Sequence, residues 1–148
     1  MERIKPDILF LSETHLNKVK AGNLKRRLKF DEMEVVESDG REGGLLMLWH
    51  SDLNVTFKEV HSNYIDIRID ESLVSGWRFT GIYEPGGDRK HLTWDYMHDL
   101  HPMSNLLWLL GGDFNEILFG YEKEGGVIRP QRCMQAFRDA LSDCALDD

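Results

Sequence analysis

Two stretches of the chain deliver a carboxylate directly after an apolar run. Ile8-Leu9-Phe10-Leu11 leads into Ser12-Glu13-Thr14-His15, and Leu106-Leu107-Trp108-Leu109-Leu110 leads into Gly111-Gly112-Asp113-Phe114-Asn115-Glu116. Ligand sites in α/β sheets lie outside the carboxyl ends of strands, so Glu13 and Asp113 are candidates for one cation site. Carboxylates plus an amide suit a hard cation such as Mg²⁺ or Mn²⁺, which keeps several waters and is completed by substrate phosphate. Zinc would want more His or Cys. With such a cation held by Glu13 as a Lewis acid on a phosphoryl oxygen, Asp113, aided by Asn115, would orient and polarise an attacking water. An extended backbone would point Asp113 and Asn115 to the same side and Phe114 into the core. Gly111 and Gly112 would let a substrate or a neighbouring backbone come close. Asp, Asn and Gly also serve ordinary turns at strand ends, so the pattern carries more than any one residue.

Other chemistries lack their motifs. Gly43-Gly44 has neither dinucleotide-binding nor P-loop spacing and reads as a close-approach point before a strand. The six histidines show no His-Glu-x-x-His spacing, and Gly-x-Ser-x-Gly is absent. The four tryptophans read as packing residues rather than base-stacking platforms.

The elements that must position these residues are short. Turn signals recur at Asp39-Gly40, Ser62-Asn63, Ser75-Gly76, Pro85-Gly86-Gly87 and Gly125-Gly126. Tyr64 to Ile69 alternates, with Ile65, Ile67 and Ile69 on one face and Tyr64, Asp66 and Arg68 on the other, as a sheet with one exposed side requires. Leu45 to Trp49, Leu53 to Val60 and Arg78 to Tyr83 are further strand candidates. The two wholly apolar runs predict strands buried on both faces, in the middle of a sheet. Thr93 is placed to cap a short helix through Leu100. Pro130 opens a longer one with Met134, Phe137, Leu141 and Cys144 on one face. The pattern is that of an α/β chain with helices packed outside sheets.

Composition bounds the rest. The 148 residues leave room for one domain, and the 18 Lys and Arg against 26 Asp and Glu give a net charge of −8. That balance argues against broad, sequence-independent nucleic-acid binding, though not against one local contact surface. Lys18, Lys20, Lys25, Arg26, Arg27 and Lys29 form a basic block without an acid, either a solvated helix face or a phosphate-contact patch. No apolar run is long enough to cross a bilayer, and the first residues lack the apolar region of a signal peptide, so an intracellular setting is expected. Cys133 and Cys144 have no Cys-x-x-Cys or zinc spacing and read as reduced, partly buried thiols.

Three segments together resemble a known superfamily. Pro6 to Thr14 resembles the P-D-I-hydrophobic-x-E-T strand of the endonuclease/exonuclease/phosphatase superfamily. Gly81-Ile82-Tyr83-Glu84-Pro85 is similar to its Gly-x-Tyr-x-x-Pro region, and Gly112-Asp113-Phe114-Asn115 to its G-D-F-N motif. Order and separation agree. Within the superfamily the chain is most similar to the apurinic-type endonuclease domain of plant LINE-type (non-LTR) retrotransposons. That likeness rests on Ser12 to Leu16, Gly43 to Leu45, Leu48-Trp49, Arg89, Thr93-Trp94, Gly111 to Leu118 and Arg129-Pro130, followed by Met134, Phe137 and Cys144.

The resemblance implies two packed mixed β-sheets with outer helices, a four-layer sandwich spanning residues 1–148 as a single partial domain. It also implies Mg²⁺- or Mn²⁺-dependent cleavage of phosphodiester bonds, with DNA as partner, no membrane or small-molecule cofactor, and a nuclear setting. Glu13 would be the metal ligand, Asp113 and Asn115 the water-orienting and phosphate-facing pair, and Tyr83 a phosphate-side tyrosine. Proline is spaced differently here, at Glu84-Pro85. The family's first strand, bearing an Asn, and its Ser-Asp-His segment have no counterpart in the sequence. The expectation is therefore a domain cut at both ends, catalytically impaired, with an uncovered apolar edge. Two other readings remain: a phosphatase of the same fold acting on a small phosphorylated molecule or lipid head group, and a non-catalytic remnant.

Overall fold

A computed structural model describes residues 5–38, 43–84 and 90–147. They form two compact units, one of residues up to Tyr83 together with Leu106–Asp113, the other of Glu84–Asn105 together with the residues from Phe114 onward.

The first unit holds both sheets. Strands β1 (Ile8–Ser12), β2 (Glu32–Val36) and β3 (Leu45–Trp49) pair antiparallel in the order β1-β3-β2, with helix α1 (Lys18–Leu28) between β1 and β2. Strands β4 (Val55–Val60), β5 (Tyr64–Ile69), β6 (Trp77–Tyr83) and β7 (Leu107–Asp113) follow in spatial order. Only β6 and β7 run parallel, which makes this second sheet mixed and the first purely antiparallel. The alternation of β3 explains the layering. Leu45, Met47 and Trp49 pack with Ile65, Ile67, Ile69 and Tyr83 between the sheets, while Leu46 and Leu48 meet Ala21 and Phe30 beneath α1. Every β3 residue is buried, and full burial of such a side chain contributes about 1.5–3 kcal/mol.

Two sequence expectations need correction. The wholly apolar runs are not central: β1 and β7 each lie at the end of their sheet, and β3 is the doubly buried strand. Register places Leu107 and Leu109 on the inter-sheet side beside Trp77 and Phe79, yet they are 80% and 56% exposed. The polar face of β5 is likewise not open to water. Asp66 is fully buried, and its Oδ1 accepts from Arg78 Nε (2.9 Å) and from the Thr80 hydroxyl (2.5 Å). Thr80 Oγ1 in turn accepts from Trp108 Nε1 at 2.8 Å, and the Arg78 guanidinium lies 4.6 Å from the Trp108 ring centre. The network ties β5, β6 and β7 together, so its polar residues are structural rather than solvated.

The second unit holds α2 (Lys90–Leu100) and α3 (Gln131–Asp143), with 3₁₀ turns at His101–Met103 and Gly120–Glu122. Thr93 does not cap α2; it lies inside the helix, buried with Met97 and Leu100 at helical spacing. Pro130 does precede α3, whose buried residues are Met134, Phe137 and Ala140, with Leu141 only half-buried. Trp94 stacks on Phe137 with ring centres 4.9 Å apart, and Phe114 packs on the same ring. His98 links the helices through Asp143 at 3.1 Å, and that hydrogen bond raises the histidine pKa. Cys133 and Cys144 are free thiols, and burial pushes the pKa of Cys144 up. Strand β2 and the extent of α1 had no clear signal in the sequence. No helix among the described residues is long and apolar enough to cross a membrane.

Removing one member of a buried ion pair costs about 3–5 kcal/mol, whereas apolar replacement of both is far milder. Asp66→Ala is therefore expected to lower stability by about that amount in chemical unfolding, and Asp66→Leu with Arg78→Met by much less. Equal losses for the two variants would contradict a structural role for the network.

Candidate functional site

The ends of β1, β6 and β7 bring three of the predicted residues together. Tyr83, the last residue of β6, is register partner to Asp113, the last of β7. Its hydroxyl donates to Glu13 Oε1 at 2.5 Å, and Glu13 directly follows β1 in the other sheet. Tyr83 is itself held. Its backbone N–H donates to Asn63 O at 2.8 Å, and its carbonyl accepts from Asn63 Nδ2 at 3.3 Å, so the turn between β4 and β5 fixes the tyrosine.

Local backbone geometry sets each residue. The β6–β7 pairing brings Gly112, at φ +137°, so near β6 that a Cβ there would overlap the Ile82 carbonyl. Of the two uses the sequence left open for this glycine, the neighbouring backbone is the one seen. Gly81 similarly leaves space for the Phe10 ring. On the other side, Glu13 and His15 adopt left-handed conformations, φ +49° and +50°. Non-glycine residues pay for such angles and cluster at functional sites. This turn is pinned by Thr14 N–H to Gly44 O (3.2 Å) and His15 N–H to Gly43 O (3.3 Å). Gly44, at φ +91°, would carry a Cβ 2.8 Å from Thr14 Oγ1, which bears out the close-approach reading at Gly44, whereas a Cβ at Gly43 would meet nothing within 4 Å. Tyr83 is 7% exposed, while Glu13 and Asp113 are open to solvent, as a site for an external substrate requires.

Asn115 lies in the second unit, and its backbone is not extended: φ is +47°. The alternation that would have aimed it alongside Asp113 therefore stops at the end of β7. Its carbonyl accepts from Lys90 Nζ at 2.7 Å. Lys90 also pairs with Glu116 (3.1 Å), whose fully buried carboxylate meets Arg129 Nε at 3.1 Å. The sequence gave no role to Glu116 or Lys90; an acid beside a candidate site was the only signal available. Arg89 and Pro85, part of the resemblance, and the turn signals Asp39-Gly40 and Pro85-Gly86-Gly87 lie outside the described residues.

The donor set decides what could bind. Among the described residues no three His, Cys, Asp or Glu gather as a closed metal cage. A protein-enclosed zinc centre would need such a group. The donor set fits Mg²⁺ or Mn²⁺, which needs one or two carboxylates and takes its other ligands from water and phosphate. Glu13 would hold such an ion, with its second carboxylate oxygen beside the one that Tyr83 engages.

No protein-family profile matches the sequence, and comparison with curated proteins finds no match. Solved structures do match. The chain is similar to an AP endonuclease from Archaeoglobus fulgidus (TM-score 0.63, 15% identity, 93% of this chain and 60% of that one). It is also similar to the 3′-5′ exonuclease NExo from Neisseria meningitidis (TM-score 0.62, 16% identity, 93% and 61%). A third match is TDP2 from Caenorhabditis elegans (TM-score 0.54, 14% identity, 76% and 38%). The chain shares the fold of these AP endonuclease, exonuclease and TDP2 structures. Within that fold the chain spans about three-fifths or less of the structures it matches.

Gly44→Ala is expected to lower stability by about 1–3 kcal/mol, because it strains a left-handed position. It should also shift the amide signals of Thr14 and His15 in NMR spectra. An unshifted spectrum with unchanged thermal unfolding would show that Gly43-Gly44 does not hold the Glu13 turn.

Proposed function

We propose that the chain is a Mg²⁺- or Mn²⁺-dependent phosphodiester-cleaving domain of endonuclease type acting on DNA, derived from a LINE-like retrotransposon. The observation that carries the reading is Tyr83, which is hydrogen-bonded to Glu13 and in register with Asp113, so that residues from three sequence segments meet at one set of strand ends. The LINE-like origin rests on the sequence motifs, the nuclease reading on those motifs and on the superfamily fold.

Each residue then has a chemical task. Glu13 holds the cation, and the Tyr83 hydroxyl fixes the orientation of its carboxylate. When bound, the cation supplies Lewis-acid stabilisation of charge on a phosphoryl oxygen. Asp113 accepts a hydrogen bond from the attacking water, aligning it and drawing off its proton. Asn115, two residues further on, is assigned to the phosphate oxygens by its place in the motif. A positioned general acid–base group contributes about 10²–10⁴-fold.

Nicking of supercoiled plasmid in Mg²⁺ tests the assignment. The expected result is nicking that EDTA stops and that Asp113→Ala and Glu13→Gln each reduce by about 10²-fold or more. Nicking that survives Asp113→Ala would refute the site. Release of phosphate from a small phosphomonoester with no nicking would favour a phosphatase, and absence of both would favour a non-catalytic domain.

A further inference from the structure

Helix α1 concentrates cations in an otherwise acidic chain. Removing its five and the C-cap Lys29 from the 18 Lys and Arg leaves 12 against 26 Asp and Glu, a balance of −14 for everything else. Of the nine described lysines and arginines elsewhere, five find acids: Lys58 pairs with Glu34, Arg68 with Glu71, Arg78 with Asp66, and Lys90 and Arg129 with Glu116, while Lys5, Lys123, Arg132 and Arg138 do not. Among the described residues no ion pair uses Lys18, Lys20, Lys25, Arg26, Arg27 or Lys29. Glu37, the nearest acid in contact, accepts from the Lys18 backbone N–H at 2.7 Å. Lys25 Nζ donates to the Asp31 carbonyl and Arg26 to Asn23, both uncharged acceptors.

Helix stability accounts for only part of this arrangement: Lys25, Arg26 and Arg27 lie in the last turn, where the helix dipole favours cations. The first turn has no acid and carries Lys18 and Lys20, where the helix dipole disfavours cations. Lys25 and Lys29 repel at i,i+4 spacing. Lys29 also holds the left-handed C-cap position, φ +61°, that Gly or Asn occupies at lower cost. Positions 18, 22, 25, 26 and 29 fall on one helical strip, so Lys18, Lys25, Arg26 and Lys29 form a row about 16 Å long. That matches roughly five successive phosphates of one strand at about 3.4 Å each. The two exposed apolar residues, Val19 at 73% and Leu28 at 43%, stand at nearly opposite angles of the helix, so they give no apolar face for a lipid surface.

We propose that this row is a docking surface for the phosphate backbone of a nucleic-acid strand. The choice of nucleic acid among polyanions rests on the phosphodiester reading of Glu13, Tyr83 and Asp113, which lie in the same unit; Lys18 follows Glu13 by five residues. Binding at α1 holds the strand by charge, independent of base sequence.

Fluorescence anisotropy with a labelled duplex of about 20 base pairs, in EDTA, between about 50 and 200 mM salt, tests the surface without requiring cleavage. The variant Lys18→Gln/Arg26→Gln/Lys29→Gln is expected to reduce the slope of log affinity against log salt by about 2–3 units. The change at Lys58, which is paired with Glu34, Lys58→Gln, should leave the slope unchanged. The two readings fail separately: nicking that survives Asp113→Ala would refute the catalytic site while leaving the salt slopes of the triple variant, read in EDTA, to decide the surface. Three outcomes overturn the surface: equal slopes for the triple variant and the unaltered chain, an equal loss from Lys58→Gln, or charge-dependent binding to phosphatidylserine vesicles with none to DNA.

Discussion

The hydrogen bond from Tyr83 to Glu13 joins the ends of strands that belong to different sheets. Its geometry depends on the two sheets packing in one register, and that packing comes from β3 and β5. Leu45, Met47 and Trp49 on one side and Ile65, Ile67 and Ile69 on the other fill the space between the layers. A one-residue slip of β1 or β6 against its neighbouring strand would invert the faces of that strand and carry Tyr83 away from Glu13. The apolar core therefore fixes a polar contact at its rim, and the rim is where chemistry is possible.

A second constraint fixes Asp113. Parallel strands need a long crossover, and here α2 lies in the connection from β6 to β7. Gly112 permits the close approach, and the buried Asp66–Arg78–Thr80–Trp108 network locks β5, β6 and β7 beneath it. Breaking the register there would move Asp113 relative to Tyr83 while leaving both side chains intact. Position, rather than residue type alone, distinguishes these carboxylates from the many other acids of the chain.

Much of this was legible in the sequence. Alternation in Tyr64 to Ile69 marked a strand and its inward isoleucines, and the apolar runs marked the two carboxylates as strand-end residues. Glu13 and Asp113 stand out in the sequence because each follows an apolar run, and Tyr83 because its segment lies in order between theirs. Burial was misread for definite reasons. An apolar run reports that water is avoided, not how many neighbours a strand has, so β1 and β7 looked central although β3 is. Asp66 looked solvent-facing because its partners Arg78 and Thr80 are 12 and 14 residues away, on another strand. The left-handed turn at Asn115 left no trace in alternation. Glu116 was passed over because Lys90 and Arg129, which enclose it, are distant in sequence.

The strand ends bring Glu13, Tyr83 and Asp113 to one rim, and the proposal that Glu13 and Asp113 serve one cation site there is the central claim. Titration with Mn²⁺, read as paramagnetic broadening of backbone amide signals, addresses it without dependence on turnover. Early broadening confined to the residues around Glu13, Tyr83 and Asp113, and abolished by Glu13→Gln, is the outcome expected of the site. Broadening spread over the acidic surface, or unchanged in Glu13→Gln, would contradict it.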